Sequence, residues 1–245
     1  MKIAVINGSL KDKATNTNVM VTAFLKGAQA AGAETVNIFL AEKEMKHCRT
    51  SHCYRFHYPG QCMTKHDMTE ILTLGSKTNL IVLATPVYFE NIYSMLHAVA
   101  DRLTMTGSHH LSKNKPKGDQ FVISPKMQLP KLMMISSYGS LERSETQVIS
   151  LWIKRVALKM HTEVVAEIYA AHGRFLTEPS EKLRPFILNY LELLEKAGKE
   201  IATNMNLSVA TKSLLNNSDQ YYSISKNTLG EREQTSSFAN SLQDN

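Results

Sequence analysis

Lys2-Ile3-Ala4-Val5-Ile6-Asn7-Gly8-Ser9 is the stretch on which the reading of this chain turns. Residues 2–7 are continuously apolar in character rather than alternating, the mark of a strand buried on both faces. Gly8 and Ser9 stop it. From Thr17 to Ala31 apolar residues return at helical spacing (Val19, Phe24, Ala28, Ala31), and Gly32 stands where a C-terminal cap belongs. A doubly buried strand feeding a helix through a short polar loop is how a parallel α/β sheet begins.

Working outward, the same alternation repeats. Residues 35–40 (TVNIFL) read as a second strand, followed by a cysteine-bearing loop and a helix from about His66 to Leu74. Leu80 to Thr85 (LIVLAT) is another buried run, halted by Pro86, and Asn91 to Met105 has helical period through Ile92, Met95, Val99 and Leu103. Leu132 to Ser136 predicts a strand, Glu142 to Met160 a helix, Glu163 to Ala170 a last strand, and Pro179 to Thr203 a last long helix with its proline in the N-terminal turn. Strand and helix in alternation predict a mostly parallel sheet with helices on both faces. Such sheets bind ligands beyond the carboxyl ends of their strands, where strand order reverses. The loops after Asn7, Ala84 and Ser136 are therefore the candidate site. Residues 106–130, punctuated by Gly107, Pro116, Gly118, Pro125 and Pro130, form an insertion in a domain spanning 1–204. The Asn-, Ser- and Gln-rich segment 205–245 reads as a polar tail, mobile or lying on a partner subunit.

Composition bounds the rest. The chain has 245 residues, 43% hydrophobic and 20% charged, long enough for one generous domain with a sizeable core. No apolar run approaches the roughly 20 residues of a membrane helix, and the apolar start lacks a signal-peptide cleavage site, so the expectation is a cytoplasmic protein with no membrane partner. The formal charge is +6. Nucleic-acid binding would call for clustered Lys/Arg interleaved with aromatics, whereas Lys113, Lys115, Lys117, Lys126 and Lys131 are spread through a loop containing prolines. That loop reads either as a solvated surface or as a patch that meets an anionic ligand such as a nicotinamide dinucleotide phosphate. Three cysteines, all between Cys48 and Cys62, argue for a reducing compartment rather than a disulfide scaffold.

The three loops carry different chemistry. In the first, Gly8 to Thr17, a strand meets a helix start, and Ser9, Thr15, Asn16 and Thr17 offer short donors beside free backbone N–H groups. Hydrogen bonds and the helix dipole together suit a phosphate there. The loop is neither a Walker loop nor G-x-G-x-x-G, and a plain capped helix start is the alternative. In the second, Pro86-Val87-Tyr88-Phe89-Glu90-Asn91, two aromatics appear where a buried strand meets solvent. They suit a flat heteroaromatic ring or serve as core caps. In the third, Ser136-Ser137-Tyr138-Gly139-Ser140, Gly139 permits close backbone approach.

The G-S-x-K opening with its Thr15-Asn16-Thr17, the ATPVYF segment (84–89) leading into a helix that ends Asp101-Arg102, and the later Ser137-Tyr138-Gly139 resemble the NAD(P)H-dependent FMN reductase branch of the flavodoxin-like proteins. A loop with Cys62 and Met63 before Asp67 and Met68 is shared with relatives in that branch. The resemblance covers about residues 1–175, with ATPVYF its most specific part. It implies a five-stranded doubly wound parallel sheet of order 2-1-3-4-5. It also implies an FMN phosphate held by Ser9, Lys11, Thr15, Asn16 and Thr17. The ribityl chain and ring would lie along Pro86, Val87, Tyr88, Phe89 and Asn91, closed by Tyr138 and Gly139. NADPH or NADH would be co-substrate, a quinone, nitro compound or flavin the small-molecule acceptor, and the assembly a homodimer or homotetramer. Where relatives carry a glycine before the loop asparagine, this chain has Ala14-Thr15.

Relatives related to iron–sulfur flavoproteins use four compact cysteines for a cluster, but here only Cys48, Cys53 and Cys62 are present. A zinc site completed by His57 or His52 has plausible chemistry without a standard spacing, and a cysteine loop without metal is the simpler reading. His97, His109, His110, His161 and His172 form no nucleophile–base arrangement, and Asp101-Arg102 reads as an ion pair or cap. No side chain is named as a catalytic acid or base; the flavin would do the chemistry and backbone N–H groups of the second loop would stabilise its reduced form. An electron carrier between proteins, and a flavin-free binding relative, are the alternatives.

Overall fold

Alternate residues of a strand face opposite sides of a sheet, and the apolar runs here use both sides. The computed structural model describes residues 1–10, 14–47, 67–75, 77–103, 107–108, 122–123, 129–140, 143–171, 173–177 and 181–216. Five strands carry the framework: β1 (Lys2–Asn7), β2 (Glu34–Phe39), β3 (Leu80–Tyr88), β4 (Lys131–Ser137) and β5 (Val164–Ala170). They lie in the order β2-β1-β3-β4-β5, every pairing parallel. This is the expected flavodoxin-like order, and it reverses between β1 and β3.

Helices cover both faces. On one side Ile3, Val5, Val82, Met133 and Ile168 pack under α1 (Asn16–Ala30), α5 (Arg184–Asn204) and α6 (Val209–Asn216). On the other, Ile6, Ile81, Leu83 and Met134 pack under α2 (Met68–Gly75), α3 (Ser94–Leu103) and α4 (Gln147–Lys159). Helices α1 and α5 cross at backbone contact: a Cβ added at Gly27 would overlap the Glu195 carbonyl, and one at Gly198 the Phe24 carbonyl. Phe24, fully buried at that crossing, contributes roughly 2–3 kcal/mol by its burial alone.

Four expectations need correction. Pro86 does not halt β3, which continues to Tyr88 and pairs Pro86 with Ser137. Strand β1 ends opposite Ala84, so beyond it β3 is an edge on that side, where a proline is tolerated. The helix expected from Asn91 starts at Ser94, because Asn91–Ile92 turn back antiparallel on Val87 and Tyr88. The last long helix starts at Arg184 rather than Pro179, and Pro185 occupies its first turn. Finally, the boundary expected at 204 cuts through packed structure. Leu207 and Leu215 are buried in the core beside Ile201, so residues 205–216 belong to the domain. Within the insertion, Gly107–Ser108 and Val122–Ile123 pair as a short antiparallel ladder.

Candidate functional site at the carboxyl edge of the sheet

Three loops leave the same edge of the sheet, and hydrogen bonds tie them to one another. The first is fixed to the second by Gly8, whose N–H donates to the Ala84 carbonyl at 2.7 Å. It is fixed to the third by Thr17 and Ser137, whose hydroxyl oxygens lie 2.8 Å apart and are both buried. Second and third are joined where Ser136 Oγ donates to the Thr85 carbonyl at 2.6 Å. A fourth segment, the 3-10 turn Gly173–Thr177 after β5, closes over the first loop. Thr177 Oγ1 donates to Asn16 Oδ1 at 2.8 Å, and a Cβ at Gly173 would stand 2.8 Å from that of Ser137 and 3.4 Å from that of Asn16.

Inside the first loop the wiring is specific. Asn7 Oδ1 accepts both the N–H of Ser9 at 3.0 Å and its hydroxyl at 2.6 Å. Thr15 Oγ1 then donates to Ser9 Oγ at 3.2 Å. Helix α1 begins at Asn16 with Thr15 as N-cap, no side-chain capping bond and no acidic residue in its first turn. Among the described residues, its first-turn N–H groups and the positive end of its dipole meet no carboxylate, which fits a phosphate.

The second loop is a two-residue hairpin. Phe89 and Glu90, at φ 49° and 60°, both hold left-handed backbone without being glycine, the dihedral signs of a type I′ turn. Phe89 is fully exposed and Tyr88 56% exposed, the latter with its ring edge-on to Tyr93 at 5.5 Å. Pro86 and Val87 are half-buried. Thr85 Oγ1 anchors the start of the next segment by accepting the Tyr93 N–H at 3.0 Å, and Asn91 Oδ1 accepts the Ile92 N–H at 2.9 Å.

The candidate residues thus sort by place. Ser9, Thr15, Asn16 and Thr17 gather at the start of α1, and Pro86, Val87, Tyr88, Phe89 and Asn91 form the neighbouring hairpin. Gly139 is exposed beside them, with open space where a Cβ would go. Tyr138 is different: it is 3% exposed, with its N–H on the Ala170 carbonyl and its own carbonyl accepting from Gly173. Lys11 lies outside the described residues, as do Cys48, Cys53, Cys62, His52 and His57. Of the lysines weighed as an anionic patch, Lys131 pairs with Glu163 at the amino end of its strand, the edge opposite the site. The reading of residue types missed Asn7, Asn18, Gly173 and Thr177, and met Ser137 only as part of the third loop. A signal existed for the first, since an asparagine closing a doubly buried apolar run needs a reason.

One ionisable group sits close by. Burial holds the Tyr169 phenol well above its ordinary range, reinforced by the Glu167 carboxylate that accepts its hydrogen at 2.7 Å. It is a neutral donor at working pH, in a surface network with Lys154.

Fold and site together define a flavodoxin-like α/β protein whose sheet edge sets a helix start with no acid in its first turn beside an aromatic hairpin. The chain belongs to the NADPH-dependent FMN reductase family, whose model matches residues 1–123. It is 29% identical over 118 residues to an iron-sulfur flavoprotein of Archaeoglobus fulgidus, across 48% of this chain and 52% of that protein. An iron-sulfur flavoprotein of Methanocaldococcus jannaschii is 33% identical over 102 residues, 42% of this chain and 51% of that one. The chain spans about half the length of these curated relatives. Among solved structures, an FMN-dependent NADH-azoreductase from Bacillus anthracis in complex with FMN matches with TM-score 0.58 at 16% identity, covering 82% of this chain and 99% of that one. The NAD(P)H:quinone oxidoreductase from Methanothermobacter marburgensis matches with TM-score 0.58 at 12% identity, covering 82% and 96%. At such identities these structures establish the fold. Among the described residues no helix is long and apolar enough to cross a membrane.

Proposed function

We propose that the chain is an FMN-dependent oxidoreductase, taking reducing equivalents from NADPH or NADH and passing them to a small acceptor such as a quinone, a nitro compound or a flavin. The observation that carries this reading is the acid-free, uncapped start of α1, tied through Thr17 and Ser137 to the loop beside it. Family membership supplies the flavin that such a cradle would meet.

Ser9, Thr15, Asn16 and Thr17, with Lys11, would surround the phosphate; the Ser9 and Thr15 hydroxyls brace the loop from within, and the backbone N–H groups of the helix start with the Asn16 amide would be its direct donors. Tyr88 and Phe89, with Pro86, Val87 and Asn91, would flank the ring, and Gly139 leaves room on the far side. The chemistry that FMN supplies when bound is acceptance of a hydride from a nicotinamide and release of electrons to a second substrate. What the protein adds is orientation: the hairpin offers aromatic surface to a flat substrate, and the hydrogen-bonded loops keep that surface at a fixed distance from the cradle. No side chain in the described site is placed as a proton donor or acceptor for the reaction. The family's habit of pairing subunits suggests a homodimer or homotetramer, and a cytoplasmic setting agrees with the three clustered cysteines.

The test is steady-state oxidation of NADPH and of NADH by the full chain loaded with FMN, with and without a quinone. Acceptor-dependent turnover is expected with at least one nicotinamide. A chain that holds FMN yet oxidises neither would instead be an electron carrier between proteins.

A further inference from the structure

Three asparagines form a line of hydrogen bonds from the sheet edge to the first loop. Asn37, on edge strand β2, donates from Nδ2 to Asn18 Oδ1 at 3.2 Å. The same oxygen accepts Asn7 Nδ2 at 3.2 Å, and Asn7 Oδ1 in turn holds both the N–H and the hydroxyl of Ser9. Asn7, Ser9 and Asn18 are 0%, 2% and 4% exposed. An amide can present its oxygen to Ser9 only if its NH2 end is satisfied on the other side, and Asn18 provides that acceptor. Without it, Asn7 can rotate, and Ser9 loses its anchor.

Asn37 strengthens the case by being a poor choice for stability alone. It interrupts the apolar run TVNIFL, and its own Oδ1 is buried with no hydrogen-bond partner among the described residues. A buried acceptor left unmade is destabilising, whereas valine or threonine would suit the strand. The bond to Asn18 is what this residue contributes.

We propose that Asn18, backed by Asn37, is a positioning residue that fixes the Gly8-Ser9 turn against the start of α1, where backbone N–H groups would meet a phosphate, and so makes the site prefer phosphorylated over unphosphorylated flavin. This rests on the assignment of the α1 start as the phosphate cradle. Neither residue needs to touch the ligand: Asn18 is buried behind the loop, and Asn37 lies on the far side of Asn18 from it. The effect passes through the Asn7 amide to Ser9, whose N–H and hydroxyl both donate to it, and on to Thr15, the N-cap of α1, which donates to Ser9 Oγ.

The experiment is a fluorescence titration of the flavin-stripped full chain with FMN and, separately, with riboflavin. Wild type is expected to bind FMN more tightly. In Asn18→Leu, similar in size but without an acceptor, FMN affinity should fall about tenfold while riboflavin affinity stays the same, the size expected for one lost hydrogen bond to a polar anchor. Asn37→Val, at a partly exposed edge position, should lower the FMN-to-riboflavin ratio about threefold and keeps the test open if Asn18→Leu does not fold. A purely structural role would weaken both ligands alike, and that result overturns the proposal, as does an unchanged ratio in both variants. A wild type that does not distinguish FMN from riboflavin would overturn the cradle assignment and this inference with it.

Discussion

Thr17 Oγ1 and Ser137 Oγ meet at 2.8 Å across 120 residues of sequence, both buried, and so lock the start of α1 to the end of β4. Removing one hydroxyl leaves the other buried without its partner, which costs more than the bond itself contributes. Ser137→Ala is therefore expected to lower stability by about 1–2 kcal/mol in urea unfolding. Thr17→Val added to it should cost little more, a coupling visible in a double-mutant cycle. Strictly additive losses would show that the pair does not act as one.

The crossing of α1 and α5 has no room for a methyl group. Gly198→Ala places a Cβ against the Phe24 carbonyl, and backbone cannot rotate out of the way as a side chain can. The two helices must separate, with an expected loss of about 3 kcal/mol measured by chemical unfolding. A neutral Gly198→Ala, which also improves helix propensity, would contradict the packing described.

At the hairpin the sign is reversed. Phe89 and Glu90 hold φ values of 49° and 60°, where a side chain is strained and glycine is not. Glu90 is exposed, so Glu90→Gly should raise the melting temperature, by an amount corresponding to about 1 kcal/mol. A fall in melting temperature would mean that the Glu90 side chain supports the turn.

Docking of α6 depends on pH through Glu200. Burial pushes its carboxyl upward, but Thr211 Oγ1 at 2.7 Å and Ser208, through N–H at 2.8 Å and hydroxyl at 3.0 Å, outweigh that and leave it below the ordinary value of 4.5. The ionised form is the one these donors favour. Its contribution is thus complete above the unfolded carboxyl value and is lost as pH falls through the lowered one. Hydrogen-exchange protection at 208–216, taken against the intrinsic rate at each pH, should fall in wild type as pH drops below the ordinary carboxyl value of 4.5. In Glu200→Gln protection should already be lower at pH 7 and indifferent to acid over that range.

Much of this architecture was legible before any coordinates. The runs at 2–7, 80–85 and 132–136 are apolar on both faces, and only a sheet covered on both sides uses such strands. What escaped was long-range. Nothing local says that β3 loses its β1 neighbour beyond Ala84 and so can carry Pro86 as a strand residue. Leu207, Thr211 and Leu215 are too sparse within a polar stretch to announce a helix, and it is the groove beside α5 that makes one. At the site, hydroxyl-rich residues stood out by type, while Asn7 and Asn18 are recognisable only once their partners from other elements are in place.

Asn16 offers the most direct test of the phosphate cradle. It opens α1, is only partly buried, and accepts from Thr177 through an oxygen that aspartate would keep. Asn16→Asp adds a negative charge where the helix dipole welcomes one, so the fold should be undisturbed or slightly stabilised. Equilibrium titration with FMN should give one flavin per wild-type chain and binding weaker by on the order of tenfold or more in Asn16→Asp. Saturable FMN binding of equal strength in both chains, or none in wild type, would contradict the placement of the phosphate at this helix start.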